Sequence, residues 1–289
     1  MIFKKRKVRI AFAQIAPYLA DVDRNLDKHI EYVDKAIAGK ADMVLFPELS
    51  LSGYSLKDAT PEVVLSQDDD RLKPLLEKSK KITIICGGVE LSDDFEIFNT
   101  QWCFEDGRIL NKHRKVYLPT YGVFEEERYF SSGNRFRAFE SKLLPMGVMV
   151  CEDLWHPASG LILALDGAWL LVVPAAGLTR GLRGEKKPQN VHAWDTLASA
   201  MAITTTSYVA FINRVGSEDG LVFWGGSQLV GPDGEVVGRA KYYDEQLFSV
   251  EMDLHKLRHA RVNSTMLSDE KLPVLIEEFQ RIHKKRLDY

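Results

Sequence analysis

The chain has 289 residues, 45% of them hydrophobic and 27% charged, and its 38 Lys and Arg against 41 Asp and Glu give a formal net charge of −3. That is the composition of an ordinary soluble globular protein long enough to bury a large core. Near-balanced charge, without a basic stripe interleaved with aromatics, argues against a nucleic-acid partner. Cys86, Cys103 and Cys151 are far apart, odd in number and free of C-x-x-C or Cys/His spacing. Neither a disulfide framework nor a structural zinc site is expected, and a reducing, cytoplasmic setting fits best. The basic cluster Lys4-Lys5-Arg6-Lys7 precedes an apolar run that is short and broken by Gln14, so it reads as a solvated N-terminus and not a signal peptide. No run has the length and apolarity of a membrane span, and no membrane partner is expected.

In chain order, residues 8–14 alternate and predict a strand; Leu26, Ile30, Val33 and Ile37 then give helical spacing over 25–38, ended by Gly39. Residues 43–46 form a short buried strand running into Pro47-Glu48, which places Glu48 at a strand's carboxyl end. A helix over 71–80 leads to a strand over 82–88, where Cys86 reads as a core residue. Residues 95–115 predict two antiparallel strands joined at Glu105-Asp106-Gly107, with Lys115 at the end of the second. The loop 121–130 carries Glu126 among aromatics. An apolar strand then stops abruptly at Cys151-Glu152-Asp153-Leu154-Trp155, and Asp153 is expected to cap the helix that follows. Helices over 161–165 and 192–204 alternate with strands over 169–173 and 208–213. The run 220–230 leads to a tight turn at Gly231-Pro232-Asp233-Gly234 and a strand over 235–239. A last strand over 246–251 precedes a charged helical tail, 254–287. Apolar strands alternating with amphipathic helices, plus hairpins, predict an α/β protein with mixed sheets, one from each half, roughly 1–140 and 141–250, in a single domain over 1–289.

A carboxylate, an ammonium and a thiol, all at strand ends, make chemical sense together. A neutral thiol is a weak nucleophile and needs a base or a nearby cation; Glu48 can be the first and Lys115 the second. Attack on an amide carbonyl creates an oxyanion, for which the Lys115 ammonium and the backbone N–H of Glu152 are candidate donors. The scheme needs no histidine, and His113 and His156 read as structural groups or pocket walls.

The segments Phe46-Pro-Glu48-Leu-Ser-Leu-Ser-Gly-Tyr54, His113-Arg-Lys115-Val-Tyr-Leu-Pro119, Cys151-Glu-Asp-Leu-Trp155 and Asn213-Arg-Val-Gly216 with Gly225-Gly-Ser227 resemble the nitrilase superfamily of carbon–nitrogen hydrolases, in the right order and over nearly the whole chain. The resemblance implies an αββα four-layer sandwich of two mixed sheets with helices outside. It also implies a Glu-Lys-Cys triad that falls on Glu48, Lys115 and Cys151, and a second, substrate-positioning glutamate that falls on Glu126, with Glu125 and Glu127 as its neighbours. Within the superfamily, Cys151-Glu-Asp-Leu-Trp155 and the loop 121–130 are most similar to the glutaminase domain of glutamine-dependent NAD synthetases. The Ser-Gly-Gly-x-Asp-Ser loop of their synthetase domain is absent from this sequence, so a stand-alone amidase is the expectation.

That amidase would cleave a small primary amide, possibly glutamine-like, through a thioester at Cys151, without cofactor or metal. The alternatives are hydrolysis of a nitrile or N-carbamoyl compound, or an ammonia-supplying glutaminase subunit docked to a separate synthetase. Tyr54, Tyr121, Glu152 and Trp155 are the expected pocket residues, and Arg180 and Arg183 can meet a substrate carboxylate through a bidentate fork. The resemblance further implies a homodimer or higher homo-oligomer packed through helices near the nucleophile, with the tail 254–289 reaching a neighbouring subunit.

Overall fold

The computed structural model describes residues 6–180 and 188–287. Its strands are β1 (Lys7–Gln14), β2 (Met43–Leu45), β3 (Thr83–Leu91), β4 (Ile97–Glu105), β5 (Arg108–Arg114), β6 (Phe139–Glu140), β7 (Pro145–Val148), β8 (Leu170–Ala175), β9 (Tyr208–Asn213), β10 (Val215–Glu218), β11 (Leu221–Trp224), β12 (Gln228–Val230), β13 (Val236–Arg239) and β14 (Gln246–Asp253). Its helices are α1 (Val22–Ala38), α2 (Lys73–Ser79), α3 (Pro157–Leu165), α4 (Val191–Thr204), α5 (Leu254–Asn263) and α6 (Leu272–Leu287).

Two six-stranded mixed sheets form, ordered β14-β1-β2-β3-β4-β5 and β13-β12-β9-β8-β7-β6. Each has a parallel centre, β1-β2-β3 and β7-β8-β9, extended by antiparallel strands. Strand periodicity separates the layers. On β1, Val8, Ile10 and Phe12 join the cluster that includes Met146, Val148 and Val172 of the other sheet, whereas Ala11 and Ala13 join Val33 of α1 and Leu75 of α2. Both faces of the central strands are therefore buried, as an αββα sandwich requires.

Three details depart from the sequence reading. The strand expected to finish the second half, β14, instead pairs antiparallel with β1 along its whole length and closes the edge of the first sheet. The run 220–230 is interrupted at Gly225-Gly226, both at positive φ. Its first part, β11, pairs with β10 as a separate hairpin and only its second part, β12, joins the sheet. Helix α3 begins at Pro157, four residues before the apolar run that announced it, because proline suits the first helical turn.

Candidate active site

Glu48 follows β2, Lys115 follows β5 and the turn of Cys151 follows β7, so the three lie at one end of the sandwich where the sheets meet. The backbone that delivers Glu48 crosses close over β3. The Leu51 N–H donates to Gly87 O at 2.8 Å, and a Cβ on Gly87 would lie 2.9 Å from the Leu49 nitrogen. Only glycine leaves room for that crossing.

Glu48 is completely buried and bridges both sheets. Its Oε1 accepts from Lys115 Nζ at 2.7 Å and from Asn99 Nδ2 at 2.8 Å, while its Oε2 accepts from the Ala176 N–H beyond β8 at 2.8 Å. Lys115, also completely buried, meets Glu126 at 2.8 Å. Glu126 in turn accepts from the Tyr54 hydroxyl at 2.6 Å. Burial by itself pulls the Lys115 ammonium down, but Glu126 and Glu48 outweigh it and hold the group well above its usual range. Burial and the nearby Glu48 push Glu126 up to about 7 against the pull of Lys115. One cation thus serves two carboxylates.

Cys151 opens the 3₁₀ turn Cys151–Trp155 in a left-handed backbone conformation, φ +49°, and is 8% exposed. Its thiol is pushed well above the ordinary range, first by burial and then by Glu48, with Lys115 and the Ala176 N–H acting the other way. The resting group is therefore a thiol, and attack requires a base. Cys86 and Cys103 lie in β3 and β4, fully enclosed in apolar clusters, as expected for core residues.

Cys151 faces a cleft of about 230 Å³ lined by Tyr121, Phe124, Glu152, Trp155, Arg180 and Trp194, among others. Tyr121 donates to Glu152 at 2.9 Å and Trp155 packs edge-on against Trp194. Tyr121, Glu152 and Trp155 are thus brought together as expected. Tyr54 is not: it stands behind Glu126 and borders an adjoining cleft, because its hydroxyl is committed to that carboxylate. Arg180 lines the Cys151 cleft, its guanidinium 5.2 Å from the Phe124 ring, and Arg183 lies outside the described residues.

The role expected for Asp153 requires correction. Rather than capping α3, its fully buried carboxylate accepts from the Val116 and Tyr117 N–H groups at 3.1 and 2.9 Å and from the Val150 N–H at 2.8 Å, with His113 Nε2 at 3.0 Å. Asp153 therefore ties the backbone just after Lys115 to the backbone just before Cys151. Two further groups escaped the sequence reading. Asn99, which holds Glu48, belongs to a polar Asn99-Thr100-Gln101 interruption in a buried strand, a readable signal. The buried Arg214 lies 2.5 Å from Glu218, and Glu218 accepts from the Tyr54 and Ser55 N–H groups at 2.9 and 3.0 Å, so the pair fixes Tyr54 from behind. In sequence, that i,i+4 pair looks like a solvated surface. Among the described residues, no group of three or more His, Cys, Asp or Glu side chains is arranged to hold a metal ion.

The carbon–nitrogen hydrolase family model matches residues 9–262. The chain belongs to that family. As a carbon–nitrogen hydrolase of the nitrilase superfamily, it is an enzyme that acts on C–N bonds. It is 30% identical over 285 residues to a glutamine-dependent NAD(+) synthetase of Acinetobacter baylyi, covering 98% of this chain and 50% of that protein. It is also 30% identical over 278 residues to a probable nitrilase of Schizosaccharomyces pombe, covering 93% and 97%. The chain thus spans about half the length of the synthetase relatives it matches and nearly all of the nitrilase-like one. Among solved structures, this hydrolase is similar to a variant of the amidase from Nesterenkonia sp. with the acetamide moiety of fluoroacetamide covalently added at its active-site cysteine. That likeness has a TM-score of 0.76 and 25% identity, and covers 93% of this chain and 99% of that one. Among the described residues no helix is long and apolar enough to cross a membrane.

Proposed function

We propose that the chain is an amidase that hydrolyses a small primary amide to a carboxylic acid and ammonia, with Cys151 as nucleophile, Glu48 as acid–base group and Lys115 as oxyanion donor. The observation that carries this reading is the fully buried Lys115 ammonium held between Glu48 and Glu126 beside a protonated thiol. Glu48 takes the thiol proton as sulfur attacks the amide carbon. The tetrahedral oxyanion is held by Lys115 and the Glu152 N–H, and Glu48 returns the proton to nitrogen as the C–N bond breaks, releasing ammonia and leaving a thioester. Water, deprotonated by Glu48, then attacks the thioester carbon and frees the acid and the thiol. Glu126, held by Tyr54 and Lys115, positions the substrate amide. The acetamide moiety joined to the cysteine of the Nesterenkonia amidase variant marks that cysteine as a nucleophile and supports the same role for Cys151.

Arg180 supports a substrate with a distal carboxylate, such as an ω-amide of the glutamine kind, since among the described residues it is the cation lining the Cys151 cleft. The chain's 30% identity to an NAD(+) synthetase over 98% of its length favours a second reading, a glutaminase that passes ammonia to a partner synthetase. The test is ammonia release by chelator-treated protein from glutamine, glutaramate, simple aliphatic amides and matched nitriles, with hydroxylamine present to trap the acyl intermediate as a hydroxamate. Turnover of nitriles and no amide, or a strict need for ATP, would overturn the amidase. Release from glutamine only in the presence of a synthetase would favour the second reading. Arg180→Gln is expected to raise KM for glutaramate and leave a simple aliphatic amide unaffected.

A further inference from the structure

Beyond Asp153, away from the Cys151 cleft, a second cavity of about 290 Å³ opens between strand β5 and the segment 134–137. Among the described residues β5 is an edge strand, paired with β4 alone. Gly133 brings the following segment against that edge: its N–H donates to Lys115 O at 2.7 Å, and a Cβ there would lie 2.1 Å from Arg114 O. Past this point Phe136 stacks on His113 at 5.4 Å, and its neighbours Arg135 and Arg137 line the cavity with Asn134.

The charge in this cavity is one-sided. Lys112 and Arg114 on β5 share a single carboxylate, Glu90, at 2.6 and 2.8 Å. Burial opposes ionisation of Glu90, but hydrogen bonds from Arg114, Lys112 and Thr100 outweigh it and hold the carboxyl at about 2. One acid therefore answers two cations, and Arg135 and Arg137 make no ion pair among the described residues. Among the described residues no carboxylate lines the cavity, although Asp68 lines the adjoining groove that shares Asn111, Lys112 and Arg135 with it, and the cavity shares no lining residue with the Cys151 cleft. Concave walls concentrate such a field, and guanidinium forks suit oxygens carried on one centre.

We propose that this cavity binds a small phosphorylated ligand, with Arg135 and Arg137 gripping the phosphoryl oxygens and Lys112 and Arg114 supplying the surrounding charge. A phosphoryl group presents several oxygens to donors arriving from both walls, and forked guanidinium contacts favour that geometry. A nucleic-acid backbone fits less well, because the positive charge sits inside a small concavity on a chain of net charge −3. The inference stands apart from the amidase reading, since no step of hydrolysis enters it.

Calorimetric titration of the full chain at fixed ionic strength, with pyrophosphate as probe, tests the site. We expect saturable one-to-one binding to the wild type and to the control K256Q/R258Q, which alters another groove. The exposed pair R135Q/R137Q should weaken binding by at least about tenfold without changing the circular dichroism spectrum or Tm. Four outcomes would overturn the site: no saturable heat up to millimolar pyrophosphate, equal affinity in all three proteins, citrate binding as tightly as pyrophosphate, or duplex RNA binding more tightly than either.

Discussion

Lys115 lies 2.7 Å from Glu48 and 2.8 Å from Glu126, so removing this one side chain leaves two carboxylates buried without their cation. Breaking such a pair by deleting one partner costs about 3 to 5 kcal/mol. Lys115→Met is therefore expected to lose stability on that scale as well as ammonia release. Glu48→Gln keeps the shape but turns an acceptor oxygen into a donor that faces another donor, so it should cost about 1 to 3 kcal/mol of stability. It should also lower kcat by at least about a hundredfold in protein that is still folded. A Glu48→Gln enzyme within a few-fold of wild type would remove Glu48 from the chemistry.

Glu126 gives the site a pH signature in stability. Its folded pKa, about 7, is raised above the ordinary carboxyl value of 4.5. A raised acid binds more protons folded than unfolded between those values. Its contribution is thus fully present below about pH 4.5 and is lost as pH rises through about 7, on the order of 3 kcal/mol in all. Urea midpoints measured from pH 4.5 to 8 should fall more steeply for the wild type than for Glu126→Gln. Parallel curves would mean that Glu126 is ionised throughout.

Much of this arrangement is legible in the sequence. The strand-end positions of Glu48 and Cys151 follow from apolar runs that stop at a polar residue, that of Lys115 from the hairpin over 95–115, and the layers from period-two burial in strands such as β1. What escaped was pairing at long range. Nothing in residues 246–251 announces that β14 returns to β1, because strand pattern encodes which faces are buried and not which neighbour supplies the hydrogen bonds. Tyr54 reads from sequence as pocket lining, and nothing local announces that its hydroxyl donates to Glu126. Asp153 looked like a helix cap because its partners at 116 and 117 are remote in sequence.

Asp153 should matter without touching substrate. Its carboxylate accepts backbone N–H groups from both sides of the site, and Asp153→Asn replaces one acceptor oxygen with a donor that faces one of them. An unsatisfied buried group of this kind costs about 1 to 3 kcal/mol. We expect Asp153→Asn to fold with reduced Tm and with kcat reduced more than KM is raised. A pure loss of stability with unchanged kcat at low temperature would leave Asp153 with no part in positioning the site.

The backbone of Cys151 offers a separate test of the nucleophile's setting. Its φ of +49° is a conformation that side-chain-bearing residues adopt at a cost and glycine adopts freely. Both Cys151→Ala and Cys151→Gly should be inactive. The glycine variant should be as stable as the alanine variant or more so by roughly 1 kcal/mol, the reverse of the usual order. In the wild type, iodoacetamide should modify Cys151 before Cys86 and Cys103, which are at most 1% exposed. Loss of activity on alkylating Cys86 while Cys151 remains free would overturn the assignment.

The last prediction concerns α6, which buries none of its residues within the chain although Leu272, Ile276, Phe279 and Ile282 recur at helical spacing. They are 47%, 53%, 60% and 38% exposed, enough to form an apolar stripe along the helix. An isolated helix of this length is marginal in water without an apolar face to pack against. We therefore expect a homo-oligomer in which α6 packs its stripe on a neighbouring copy. Light scattering on the full chain should give a dimer or larger. Phe279→Asp with Ile276→Asp should shift it toward monomer and leave the sheets intact by circular dichroism, since neither side chain contributes to either buried cluster. A wild-type monomer at micromolar concentration with full activity would show that α6 does not form such an interface.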